Sequence, residues 1–438
     1  MPTLTINLSW FGDTYARLAA MPLPQLWWTI FVYGGWIPIV WMIWELIKMS
    51  WLNSRQALYA KKLSFVLLSI SVPRSNEQTP KAVEHIFTHL AGARGNIDFR
   101  DKWWRGKFIP PFSFELACVD GYTQFVVRTP TPLRDLIEAA VFSQYPEAEI
   151  VEITDYSQIV PHVFPDPEYD CWGGEFCLTK PNAYPIRTWE DFEHTLSQEF
   201  KDPLSNLLEA LSRLKKGEQV WLQIIVWPGD QEWVKEAAHV VSKMMGKEIK
   251  TPKPAHIAAL HATTSVAQGV VRELSSHILG LGPVADAKKS DTKDMNKLSP
   301  GERKTLEAIE QKLSKIGFQT KIRMIYLARR NVYRAGPIIS MVCGAMNLFG
   351  SLSGNSLRPY FGASPRADYF WRAWSANSKK NAILAAYQDR SEVGGSSFVL
   401  NVEELASVWH FPQILVKAPM IKKVESKKVE PPFELPLA

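Results

Sequence analysis

Apolar and polar positions divide the chain into a greasy run near its start and a long series of strand and helix patterns after it. From Leu18 to Trp44 no charged residue occurs, and the core of the run, Leu26 to Trp44, reads LWWTIFVYGGWIPIVWMIW. A bilayer core of about 30 Å takes about 20 apolar residues of helix, which this run supplies. Trp27 and Trp28 at one end, with Trp44 and Trp51 at the other, suit the two membrane–water interfaces. Gly34, Gly35 and Pro38 interrupt the middle, as membrane helices tolerate. The pattern predicts a transmembrane helix over 25–48, preceded by an extracytoplasmic segment, 1–24. Arg17 is the only basic residue before the run, whereas Lys48, Arg55, Lys61 and Lys62 follow it. The positive-inside bias therefore predicts a single-pass protein of the inner (cytoplasmic) membrane with its bulk in the cytoplasm. A cleaved signal peptide fits poorly, since the run is too long and its leading side is not basic.

Beyond the run the period changes. Leu63–Val72 alternates as a strand, and Thr79-Pro80 opens a helix with Val83, Ile86, Phe87 and Leu90 on one stripe. Phe112–Cys118 and Tyr122–Arg128 flank Asp120-Gly121, a favoured hairpin turn. A second amphipathic helix, Leu133–Tyr145, and a strand, Ala148–Thr154, complete the order β-α-β-β-α-β, the ferredoxin-like arrangement. A similar order recurs later. Cys171–Thr179 and Val220–Trp227 read as strands around a helix at Pro203–Leu214; Phe318–Ala328 and Phe398–Leu400 read as strands around a helix at Pro337–Phe349. The expected fold is thus α+β: one transmembrane helix, then two ferredoxin-like domains over 49–157 and 158–412. The second holds a helical insertion at 230–316, and a Pro- and Lys-rich tail, 413–438, should be extended.

Charge sharpens this picture. Of the 50 basic and 44 acidic residues, 15 basic and only 5 acidic ones fall between Ser299 and Arg390, so the rest of the chain is mildly acidic. Within that region Lys321, Arg323, Arg329, Arg330, Arg334, Arg372, Lys379 and Lys380 are interleaved with aromatic residues. Such a surface suits single-stranded DNA, by phosphate neutralisation and base stacking, or anionic lipid at a nearby leaflet. A solvated basic face is the bland alternative. Four scattered cysteines point to a reducing compartment.

Motifs for catalysis are missing from the pattern. No G-x-x-x-x-G-K-[ST] loop occurs, and neither a G-x-S-x-G elbow nor a paired-carboxylate pattern stands out. His85 and His89 lie four apart on a helix, but no further ligands sit at diagnostic spacing. The expectation is a protein without catalytic residues, metal or cofactor.

Several longer stretches carry a resemblance: FSFELACVDGYTQFVVRTP (Phe112–Pro130), IEAAVFSQYPEAEIVEITDY (Ile137–Tyr156), DPLSNLLEALSRLKKGEQVWLQIIVWP (Asp202–Pro228), GFQTKIRMIYLA (Gly317–Ala328) and FVLNVEELASVWHFP (Phe398–Pro412). Together they resemble the membrane-proximal N-terminal region of type IV secretion coupling proteins, the conjugative DNA-transfer ATPases. In that family the segment like Asn401–Pro412 leads through a proline-rich linker into a hexameric motor domain, whose motifs are not present in this sequence. The resemblance implies a non-enzymatic module that docks a cytoplasmic ATPase supplied in trans, as a homo-oligomer. The implied handle is Asn401–Pro412, with Glu403, Glu404 and His410 exposed and Leu405 and Trp409 packed inward.

Overall fold

The computed structural model describes residues 21–193, 202–229, 232–245 and 299–413, apart from 74–75, 94, 96, 361, 363, 366–369, 393 and 396. The expected extracytoplasmic segment to residue 20, most of the insertion at 230–316, and the tail from 414 lie outside the described residues. The chain forms two compact units, one of 1–64 with 96–108 and one of 65–95 with 109–438.

In the smaller unit the apolar run folds as α1 (Leu23–Ile30), a π-helical turn (Phe31–Gly35) and α2 (Ile37–Ala60). Gly34 has φ +107°, a conformation open to glycine, and Pro38 sits in the first turn of α2, where its missing N–H costs no helical bond. The expected single span over 25–48 is therefore broken. Among the described residues no helix is long and apolar enough to cross a membrane. The longest helix among the described residues, α2, takes in Glu45 and Lys48 within its first half. Large apolar side chains along it are nevertheless exposed, Trp41 by 65% and Trp44 by 63%.

The larger unit is built on one nine-stranded antiparallel sheet. Its first half runs β1 (Phe65–Ser71), α3 (Lys81–Ala91), β2 (Phe112–Val119), β3 (Tyr122–Pro130), α4 (Arg134–Gln144) and β4 (Glu149–Glu152). Its second half runs β5 (Tyr169–Leu178), α5 (Leu204–Ser212), β6 (Glu218–Trp227), α6 (Glu232–Met244), α7 (Pro300–Leu313), β7 (Gly317–Arg329), α8 (Ala335–Met346) and β8 (Leu357–Tyr360). Then follow α9 (Phe370–Gln388), β9 (Phe398–Asn401) and α10 (Val402–Val408). The strand order is β4-β1-β3-β2-β6-β7-β5-β8, with β9 pairing the start of β7. Asp120 and Gly121 both take positive φ, as the tight β2–β3 hairpin requires.

Two separate domains were the expectation, yet the sheet has no break. Strands β2 and β6 pair in register from Phe112↔Val226 to Val119↔Gln219. The expected boundary at 157 falls instead in the connection that runs from β4, at one end of the sheet, to β5, near the other. The expected last strand, Phe398–Leu400, also moves: β8 occupies the edge beyond β5, and β9 fills the start of β7 that β5 leaves unpaired. Pro359 within β8 weakened its strand signal, although proline is tolerated at a sheet edge.

Strand alternation gives the sheet two buried faces. One carries Phe112, Phe114, Leu116, Leu222, Ile224, Ile322 and Met324 under α3, α4, α5, α8 and α10. The other carries Ala117, Val126, Trp221, Ile325 and Leu327 under α9 and the crossing connection, through Val160, Phe164, Ile383, Leu384 and Tyr387.

Candidate functional site

The expected handle is part of the core. Asn401 caps α10 by accepting from the Glu404 N–H, while the Glu404 carboxylate accepts from the Asn401 N–H, each at 2.8 Å. Glu403, Glu404 and His410 are buried, as are Leu405 and Trp409, so the expectation of exposed polar groups is overturned. The reason is that each polar group has an internal partner. Lys312 Nζ lies 3.0 Å from Glu404, and the Ile186 N–H donates to the same carboxylate. Lys315 bridges Glu403 at 2.6 Å and Glu84 at 3.2 Å. His410 has Nδ1 2.8 Å from the Ala406 carbonyl and Nε2 2.9 Å from Asp202, so both ring nitrogens are engaged inside the unit. Burial lowers the Lys312 pKa and raises that of Glu404, each towards the neutral form despite the pairing. Trp409 meets Phe114, Phe125 and Phe411 at ring distances of 4.9 to 5.7 Å.

The basic region is likewise mostly absorbed. Lys321 and Arg323 are buried and cannot meet a phosphate or lipid headgroup at the surface. Arg323 Nε donates to Glu175 at 2.8 Å, and Lys321 Nζ to the Glu392 and Gly395 carbonyls. Arg334 makes a forked pair with Glu218, at 2.7 and 2.8 Å, and Lys380 holds Asp170. Arg329 and Arg330 are exposed, the latter donating to the Asp166 carbonyl; Lys379 donates to the Gly362 carbonyl. Arg372 lies in α9, and its side chain is outside the described residues. The eight cations do not share one surface.

A group the sequence pattern did not single out lies on the second face of the sheet. Glu115, Gln223, Arg323 and Glu175 stand opposite one another on β2, β6, β7 and β5, forming a polar row across four strands. All four are buried. Arg390, with φ +50°, follows α9 and reaches Glu115 at 3.0 Å and the Asp155 carboxylate. Tyr156 donates to Glu115 at 2.7 Å, and Ser113 donates to it at 2.6 Å. Gly394 and Gly395 close over Glu175, where a Cβ on Gly394 would lie 2.3 Å from its carboxylate oxygen. Burial pushes the Glu115 carboxyl up, but the charge and hydrogen bonds of Arg390 bring it below its ordinary value of 4.5. Arg128, at the rim, is lowered to about 10 by burial and by Arg390. The only cue in the sequence was the interruption of apolar strands by Glu115, Gln223, Arg323 and Glu175 at alternate positions.

The smaller unit presents the opposite chemistry. Large apolar side chains there face outwards: Trp28, Trp36, Trp41, Trp44 and Trp51 are all exposed. Beside α2, a π-helical turn at Asp101–Arg105 brings the Trp103 carbonyl 3.0 Å from Trp51 Nε1 and Trp104 edge-on to Trp51. Arg55 stacks 4.3 Å above the Trp51 ring. Among the described residues, no group of three or more His, Cys, Asp and Glu side chains is placed to hold a metal ion.

In comparison with known proteins, a family model described as "Domain of unknown function (DUF8128)" matches residues 68–423. No curated protein matches the sequence.

Proposed function

Since the chain belongs to the DUF8128 family, whose description carries no activity, we propose a function from its geometry and chemistry: it is a membrane-tethered module that positions a motor ATPase at the cytoplasmic face of a bilayer. The observation that carries this reading is the exposed apolar surface from Trp28 to Trp51, on a run with no charged residue from Leu18 to Trp44. Exposing so many tryptophans to water is unfavourable by about 25 cal/mol for each Å² of apolar surface. Lipid removes that cost. If α1, the π-helical turn and the start of α2 cross together, residues 23–44 span roughly 33 Å at 1.5 Å per residue, enough for the hydrocarbon core. Single π turns are accommodated within membrane helices.

The larger unit then lies on the cytoplasmic side, which the basic residues after the run favour. The strand order β4-β1-β3-β2, with α3 and α4 against each other, supports a ferredoxin-like reading of the first half. The mirrored order β6-β7-β5-β8, with α5 against α8, supports a second copy joined to it edge to edge. The resemblance to coupling-protein N-terminal regions supplies the motor as partner, with the chain beyond Gln413 as the connection. The reading is non-enzymatic because the ionisable group around Glu115 and Arg390 is largely buried and its charges are paired with one another. A DNA surface is the weaker reading, given that four of the eight cations are buried or committed to carboxylates.

Expressed in cells, the full chain is expected to remain in the membrane pellet after alkaline carbonate, with its larger unit protected from protease added outside intact spheroplasts. Release by carbonate, or digestion of the larger unit from outside, overturns the reading.

A further inference from the structure

The segment 97–108 is drawn out of the sequence of the larger unit, between α3 and β2, and folds with α2 in the smaller one. Its contacts with α2 are specific. Gly106 has φ +68° and lies so close to α2 that a Cβ would stand 2.3 Å from the backbone carbon and oxygen of Arg55. Phe108 meets Tyr59 edge-on at 5.5 Å, and the Trp103 carbonyl takes the Trp51 indole N–H. Held in this way, the segment still leaves much of two large rings uncovered. Phe99 is 76% exposed and Trp104 is 64% exposed.

Those two rings share the segment with Arg100, Lys102, Arg105 and Lys107, against only Asp98 and Asp101. Asp101 is already occupied by Arg105 at 2.9 Å and Lys107 at 3.6 Å. A mixture of exposed aromatic rings and excess positive charge suits neither water nor a hydrocarbon interior. It suits the headgroup layer of an anionic leaflet, where ring edges meet the polar zone and cations meet phosphates. Position supports the same assignment. Trp51 lies seven residues beyond Trp44, so the segment that grips it stands roughly 10 Å past the uncharged run at 1.5 Å per residue. The headgroup region adds roughly 5–8 Å to each side of the hydrocarbon core, so the segment meets its outer edge once α2 tilts from the bilayer normal, as membrane helices do.

We propose that residues 97–108 form a second membrane contact, an aromatic and basic foot that enters the anionic headgroup layer through Phe99 and Trp104. The inference rests on the membrane-tethered reading above and adds to it a second, lipid-selective element. The foot fixes the rotation of α2 about its own axis, because a contact on one side of a helix at the interface resists turning.

The test uses the full chain reconstituted into vesicles of phosphatidylcholine with about one third phosphatidylglycerol, containing a photoactivatable phosphatidylglycerol analogue. Cross-linked peptides are mapped by mass spectrometry. Adducts are expected on the peptides holding residues 28–44 and also on those holding Phe99 and Trp104. Labelling at the exposed Leu352 and Ile159 side chains of the larger unit is measured alongside as a comparison. In a Phe99→Ser/Trp104→Ser variant, adducts on 99–105 should fall at least fivefold while those on 28–44 are unchanged. With the anionic lipid replaced by phosphatidylcholine and a phosphatidylcholine probe, adducts on 99–105 should fall at least twofold.

The outcomes separate the two readings. Adducts on 28–44 but none on 99–105 sink the foot and leave the tether standing. Adducts on neither remove both. Equal labelling of 99–105 and the Leu352 loop shows random collision and also removes the foot. Equal labelling by the neutral and anionic probes overturns its selectivity for negative charge.

Discussion

Arg390 draws two carboxylates together beside the polar row. It reaches Glu115 through Nε and Nη2 and Asp155 through Nη1 and Nη2, with Glu115 fully buried. Removing one partner of a buried ion pair costs about 3–5 kcal/mol, because the remaining charge keeps its desolvation without compensation. Arg390→Met is therefore expected to lower the stability of the larger unit by that order, read as a shift in urea midpoint. The pH dependence carries the same signature. Burial pushes Glu115 and Asp155 up, but Arg390, joined by hydrogen bonds from Ser113 and Tyr156 at Glu115 and from Ser157 at Asp155, holds them below their ordinary values of 4.5 and 3.8 in the folded chain. Their contribution is complete above those ordinary values and is lost as pH falls through the lower folded ones. The variant should flatten this acid-side loss; an unchanged acid limb would show that Arg390 does not hold the carboxylates. None of this was legible in the sequence as a site. Glu115 lies 275 positions from Arg390, and residue spacing carries no information about partners brought together by strand pairing. The handle residues failed for a related reason: Glu403 and His410 read as solvent-facing because Lys315 and Asp202 are distant in sequence.

At the scale of elements, apolar periodicity located eight of the nine strands, because each buried strand places a continuous row of Phe, Leu, Ile or Val on its sheet face. It did not foresee what β9 and α10 do together. With His410 just beyond them, they are tied to Lys312 and Lys315 by ion pairs and to Ile186, Trp189 and Asp202 by hydrogen bonds. The pair also inserts Leu400, Leu405, Val408, Trp409 and Phe411 into the main core. Full burial of each large apolar side chain contributes about 1.5–3 kcal/mol, so the five together rival the roughly 5–15 kcal/mol net stability of a domain. A chain ending before Asn401 is thus expected to unfold, and its loss of motor recruitment would carry no information. The informative cut comes after Gln413, whose side chain donates to the Gln78 carbonyl at the end of the described segment. Such a chain should keep its far-UV circular dichroism and urea midpoint. It should also fail to bring a coupling-protein ATPase to membranes. Undiminished recruitment would exclude the tail as the connection.

For the molecule as a whole, the seam between β2 and β6 decides whether its two halves behave as one body. The seam is as extensive as the pairing within the first half, where β2 and β3 match from Ser113↔Arg128 to Val119↔Tyr122. The polar row crosses it, with Glu115 on one side and Gln223, Arg323 and Glu175 on the other. A slip of one residue at the seam would turn Glu115 opposite Leu222 or Ile224 and carry apolar side chains to the wrong face. The row is thus expected to favour this one alignment of the two halves over its neighbours, since a slip would leave the buried Glu115 without Gln223 opposite it. Splitting the seam would also bare β2 and β6, two apolar inner strands whose free edges would pair with other chains. The halves should therefore open together. In hydrogen exchange, the amides of β2 and β6 are expected in the slowest class with those of β3 and β7. Urea unfolding followed by circular dichroism and by tryptophan fluorescence should then give coincident transitions for the larger unit. An isolated fragment of residues 65–157 should aggregate rather than fold as a monomer. Exchange of β6 at a markedly lower free energy than β2, or a soluble and cooperatively folded 65–157 fragment, would show two independent domains that merely touch.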